Sequence, residues 1–139
     1  MYEPIRTKSV HSVAATTTSA PPRRGRDEEL DFQLAGHLSA LLTVTDELRA
    51  LAPSDDLGRA AEQLAECVAR LRHGVAPARL PAPTATAVAA TPDRIAALHR
   101  RARALAGRAL VVAASRQDTA SAVLAARRLD GHEAAVAAA

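Results

Sequence analysis

Thr91 to Ala114, TPDRIAALHRRARALAGRALVVAA, is the stretch whose reading decides the fold. It opens as a helix start: Thr91 to cap, Pro92 at the first helical position, and Asp93 near the positive end of the dipole. Ile95, Leu98, Ala102, Leu105, Ala109 and Val112 then recur at alternating intervals of three and four, the seam of an amphipathic helix. Arg94, Arg101 and Arg108 repeat every seven residues along the edge of that seam. The spacing predicts a helix over 92–114 with an apolar stripe and a basic flank. The rest of the chain has to cover that stripe.

Upstream, a first helix is predicted over about 28–51, with Asp27, Glu28, Glu29 and Asp31 crowding its start, where anions suit the dipole. Leu34, Leu38, Leu41, Thr45 and Leu48 make its seam, Thr45 bonding back to a carbonyl of its own helix. Leu30, His37, Val44 and Leu51 form a second row at intervals of seven, and Leu42 widens the stripe on the other side. A stripe this wide needs two neighbouring helices or a second subunit, so a homodimer is one of the two ways to bury it. Pro53 stops the helix, and Ser54, Asp55 and Asp56 start the next, whose seam is Leu57, Ala61, Leu64, Val68 and Leu71. His73 and Gly74 close it. So short a connection makes residues 27–74 an antiparallel hairpin.

Between the hairpin and the 92–114 helix lies VAPARLPAPTATAVAA, residues 75–90, in which Pro77, Pro81 and Pro83 forbid a regular helix. At roughly 3 Å per residue an extended 75–91 linker can run the length of a bundle. Downstream, Arg116 would fall at a core position of an unbroken helix, which predicts a turn near 115–118. Asp118 then caps a fourth helix with an apolar side of Ala122, Ala126 and Leu129, ended by Gly131 and followed by a fraying tail over 132–139. Residues 1–26, rich in Thr, Ser, Pro and Arg, read as a disordered basic tail. The expected fold is all-α: two antiparallel helical hairpins, 27–74 and 92–131, forming a four-helix bundle. With 139 residues the chain makes one helical domain of modest core.

Seventeen of the eighteen cations are arginine, Lys8 being the exception, and alanine is abundant, as in a genome very rich in G and C. MYEPIRTKSVH at the start and ALVVAASRQDTASAVLAARRLDGH later resemble segments of small helical proteins from high-GC, actinobacterial-type bacteria. That resemblance implies a helical fold and brings no activity with it. Charge is unevenly spread. Residues 27–74 carry ten acids against four arginines, and residues 92–139 carry eight arginines against four acids. An acidic and a basic hairpin attract, each exposed pair contributing only a few tenths of a kcal/mol.

The residues hold little chemistry. His11, His37, His73, His99 and His132 are scattered, with no i, i+4 pair and no Glu-x-x-His. Glu62 and Glu66 share a helical face and read as a solvated edge. There is no phosphate loop, no Gly-x-Ser-x-Gly and no dinucleotide fingerprint. Cys67, alone, forms no internal disulfide and reads as a small buried hydrophobe. No apolar run approaches the ~18 residues of a membrane helix, and no export signal opens the chain, so a cytoplasmic location is expected. No catalytic, cofactor or metal residues are assigned. The function expected is protein–protein interaction, with another protein or with itself, through Leu30, His37, Val44, Leu51, Arg94, Arg101 and Arg108. The alternative is association with DNA through the basic tail and the third-helix arginines, including a helix-turn-helix over 105–130.

Overall fold

The computed structural model describes residues 22–80 and 90–139. Those residues form four helices: α1 (Pro22–Leu51), α2 (Asp55–Leu71), α3 (Pro92–Arg116) and α4 (Thr119–Ala138). Most of the tail, residues 1–21, and residues 81–89 of the linker lie outside the described residues. Residues 22–26 do not belong to the tail. Pro22 is the first helical residue, a position where its missing N–H costs nothing, and α1 starts there rather than near residue 28. The acids from Asp27 to Asp31 therefore sit past the first turn, where the dipole argument for them no longer holds.

α2 is built as its sequence reads. The Ser54 hydroxyl accepts from the Leu57 N–H at 3.1 Å, and Leu57, Ala61, Leu64 and Val68 are buried. It ends on paired bonds, Gly74 N–H to the Ala69 carbonyl at 2.7 Å and His73 N–H to the Arg70 carbonyl at 3.3 Å. His73, at φ 56°, takes the left-handed conformation that helix ends favour, and Gly74 follows it. α3 ends the same way. Asp118 N–H reaches the Ala113 carbonyl, Gln117 N–H the Ala114 carbonyl, and Gln117 stands at φ 60°, ψ 34°. The turn expected at 115–118 is there, and Arg116 becomes the last residue of α3 instead of a core residue.

α4 departs from expectation in two ways. Its buried face is Ser121, Ala125, Arg128 and His132, one residue out of phase with the Ala122, Ala126 and Leu129 side, which is only half-buried. It also runs through Gly131 to Ala138, so residues 132–138 are helix and not a fraying tail. One glycine costs a helix about 1 kcal/mol, and the alanine-rich segment beyond it is the best helix-forming composition there is.

α1 packs against both α2 and α3, α3 packs along α4, and α2 meets α4 over a shorter contact. The wide stripe of α1 is thus covered within the chain by two neighbours. Ion pairs fix the directions: Arg116 with Asp31 and Arg94 with Glu47 run α3 antiparallel to α1, and Arg128 with Asp56 and Arg70 with Asp118 run α4 antiparallel to α2. α2 and α3 therefore point the same way on one diagonal, so the linker has to traverse the bundle. Its described part does so along α1, where Arg79 clasps Asp46 with two bonds of 2.8 Å. Leucines of α1, α2 and α3 fill the core, joined by Ala102, Ala106, Ala109 and Ala113, whose small size lets α4 approach α3 closely. α4 itself contributes only Ala125 to the buried apolar cluster.

Candidate interaction site

Ion pairs with the arginine on α3 and the acid on α1 join the two hairpins at each end. Arg94 reaches Glu47 at 3.4 Å, and Arg116 reaches Asp31 at 3.0 Å and Asp27 at 3.9 Å. The charge asymmetry read from the sequence is thereby used within one chain. Among the seven expected interaction residues, Val44 is 1% exposed and belongs to the core, and Leu51 packs on it. Leu30 and His37 are half-buried on α1. Arg94 is engaged with Glu47, whereas Arg101 and Arg108 point outward beside α1. Val44 and Leu51 are thus occupied inside the bundle, whereas Leu30, His37 and the three arginines keep accessible surface. α3 and α4 do not form a helix-turn-helix. They lie alongside each other far from their turn, where His99 meets His132.

The α2–α4 contact is a polar seam. Asp118 caps α4 by accepting from the Ser121 N–H at 3.1 Å, and the Ser121 hydroxyl donates to the same carboxylate at 2.7 Å. Arg70 adds bonds to Asp118 at 3.1 Å and to Ser121 Oγ at 2.9 Å, and Cys67 Sγ lies 3.2 Å from Ser121 Oγ. Burial alone would raise the Asp118 carboxyl. The Ser121 bonds and the Arg70 charge outweigh it and hold that carboxyl below its ordinary value. At the other end of the seam Arg128, buried along α4, reaches Asp56 at 3.3 Å while its Nε finds no partner. His132 is 1% exposed, and its Nδ1 sits 3.0 Å from Nδ1 of His99. Burial, the Arg128 charge and the neighbouring His99 push His132 down to about 4. Burial and Arg128 lower His99 as well.

Chemically this seam is a clasp. Two imidazole nitrogens 3.0 Å apart are a start on metal ligation, yet Arg128 places a cation beside them. Among the described residues no group of three His, Cys, Asp or Glu side chains converges. The histidine pair escaped the sequence because its members stand 33 positions apart and meet only through the α3–α4 hairpin register. Folding the chain back at the Gln117 turn is the one signal that could have found it.

Phe32 on α1, Val75 and Leu80 stand exposed one by one, and an open apolar groove lies on the outer side of α3 and α4, next to their turn. Leu110, Ala114, Ala122 and Ala126 line a groove of about 490 Å³, with Val123 on its rim. Val111 is 67% exposed and Val123 44% exposed. Small side chains on both walls would let another helix come close. Among the described residues, no helix is long and apolar enough to cross a membrane. Compared with family models, with curated proteins and with solved structures, the chain matches none.

Proposed function

We propose that this chain is a non-enzymatic protein–protein interaction module of the cytoplasm, a regulatory adaptor whose working surface is the outer face of α3 and α4. The observation that carries this reading is the open groove with Val111 and Val123 beside it. Large apolar side chains standing clear of the core on one face, next to alanine-lined walls, suit burial against a partner. The surface differs from the one the sequence suggested, because α2 and α3 already cover the stripe of α1. DNA association finds less support. Of the three arginines spaced by seven, Arg94 is paired with Glu47, and no third outward cation joins Arg101 and Arg108 in that row.

Two measurements test the reading. Capture from a native lysate, with nuclease present, compares the wild type with V111E/V123E; partners lost only from the variant support an interaction module working through this face. Fluorescence anisotropy with a labelled duplex at two salt concentrations tests the alternative. Tight, steeply salt-dependent binding abolished by R101Q/R108Q, with capture unchanged in V111E/V123E, would overturn the proposal.

A further inference from the structure

We infer that the occupant of the α3–α4 face is a second copy of this chain, related by a two-fold axis parallel to the helices. The inference rests on reading that face as the working surface and adds who covers it. At 3.6 residues per turn, Arg100, Arg103, Gly107, Leu110 and Ala114 follow one another at three-and-four spacing along the outer side of α3. Ala122, Ala126, Asp130 and Glu133 do so on α4. The face therefore has two halves. Near the turn it is apolar, with Val111 and Val123 standing out. Toward the far end it is charged, basic on α3 and acidic on α4. Arg100, Asp130 and Glu133 are exposed and Arg103 half-buried, and among the described residues none of the four takes part in an ion pair.

Register makes this pattern self-complementary. His99 stands opposite His132, so Arg100 and Arg103 lie level with Glu133 and Asp130. A two-fold axis parallel to the helices lays α3 of one copy on α4 of the other without changing level. Arg103 then faces Asp130 of the second copy, Arg100 faces its Glu133, and Val111 faces its Ala122 and Val123. The other face-to-face dyad, perpendicular to the helices, would set α3 on α3 with its ends exchanged, burying the charged half of each copy against the apolar half of the other. Charge selects the first arrangement and fixes its register, while the valines and the alanine groove supply the apolar contact.

The test uses the full chain in sedimentation velocity over a concentration series, with circular dichroism to verify folding. The wild type should pass from 14.5 kDa to twice that mass as concentration rises. R100E/R103E makes the charged half wholly acidic and D130R/E133R makes it wholly basic, so each variant alone should dimerise at least tenfold more weakly. Mixed one to one, they should recover a dimer containing one chain of each. V111E, which leaves those charges in place, should also weaken the dimer. A wild type that stays monomeric throughout overturns the inference, as does dimerisation indifferent to the charge variants or a mixture that fails to pair. A monomeric chain that still captures a different protein through Val111 and Val123 would sink self-docking alone. Loss of capture together with monomeric behaviour would sink the interaction reading too.

Discussion

His99 and His132 face each other Nδ1 to Nδ1 at 3.0 Å across α3 and α4, a geometry that admits one proton between the two nitrogens and repels a second. One ring has to donate and the other accept. With Arg128 alongside, the folded protein keeps this pair neutral where an unfolded chain would charge it.

The first expected outcome is a loss of stability in mild acid. His132 sits at about 4 in the fold against an ordinary 6.5, so above 6.5 neither state binds the proton and its contribution is whole. Between 6.5 and 4 the unfolded chain takes up a proton that the folded one refuses, and stability drains by on the order of 3 kcal/mol. Urea unfolding between pH 7.5 and 4 measures it, and the His132 C2–H resonance gives the titration directly. A His132 midpoint near 6.5 in the folded protein would contradict the account.

Arg128→Met should raise the His132 midpoint toward its ordinary value by removing the cation beside it. Arg128 is buried with its Nε unpartnered, so an apolar replacement of similar length should leave stability unchanged or raise it by about 1 kcal/mol or more. A loss above about 2 kcal/mol would show that its pairing with Asp56 outweighs the burial of the charge.

Asp46 and Arg79 should prove the anchor of the linker. Burial would raise the Asp46 carboxyl, but the bonds and charge of Arg79, the Leu80 N–H and Arg49 together hold it below the ordinary range. That contribution is present above about 3.8 and is lost as pH falls through the lower folded value. Arg79→Ala leaves the buried carboxylate without its clasp and should cost about 1–3 kcal/mol. Asp46→Asn should quicken tryptic cleavage after Arg79 several-fold while α1 and α2 stay helical.

Gln117→Gly should stabilise the protein by about 1 kcal/mol, since a residue with a Cβ held at φ 60° bears a strain that glycine escapes. The thermal midpoint reads this, and a lower midpoint would point to a lost contact of the glutamine side chain.

Where burial and polarity agree, the sequence can be read almost residue by residue. Ser54 caps α2, Thr91 caps α3, and Thr45 bonds back to the Leu41 carbonyl at 2.8 Å, each as its surroundings dictate. α4 is legible only in its existence and its Asp118 cap. Its inner face holds Ser121, Arg128 and His132, so a pattern of apolar residues points to the neighbouring face, about 100° around the helix. The seam facing those residues is invisible for the same reason. Asp56 and Arg128 stand 72 positions apart, and no local rule joins them. The self-complementary face draws on residues that look, one at a time, like an ordinary solvated surface.

A bundle closed on one side by leucines and on the other by hydrogen bonds does not open evenly. The α1–α3 side is greased, and the α2–α4 side is held by Arg70, Asp118, Asp56 and Arg128, groups that water can satisfy once they part. Breathing should therefore start there, like a book opening away from its spine, below the free energy of global unfolding. Cys67 lies on that edge, 8% exposed with its sulfur against Ser121. Its rate of capture by a thiol reagent is thus a clock for the opening, already in place without any engineered label.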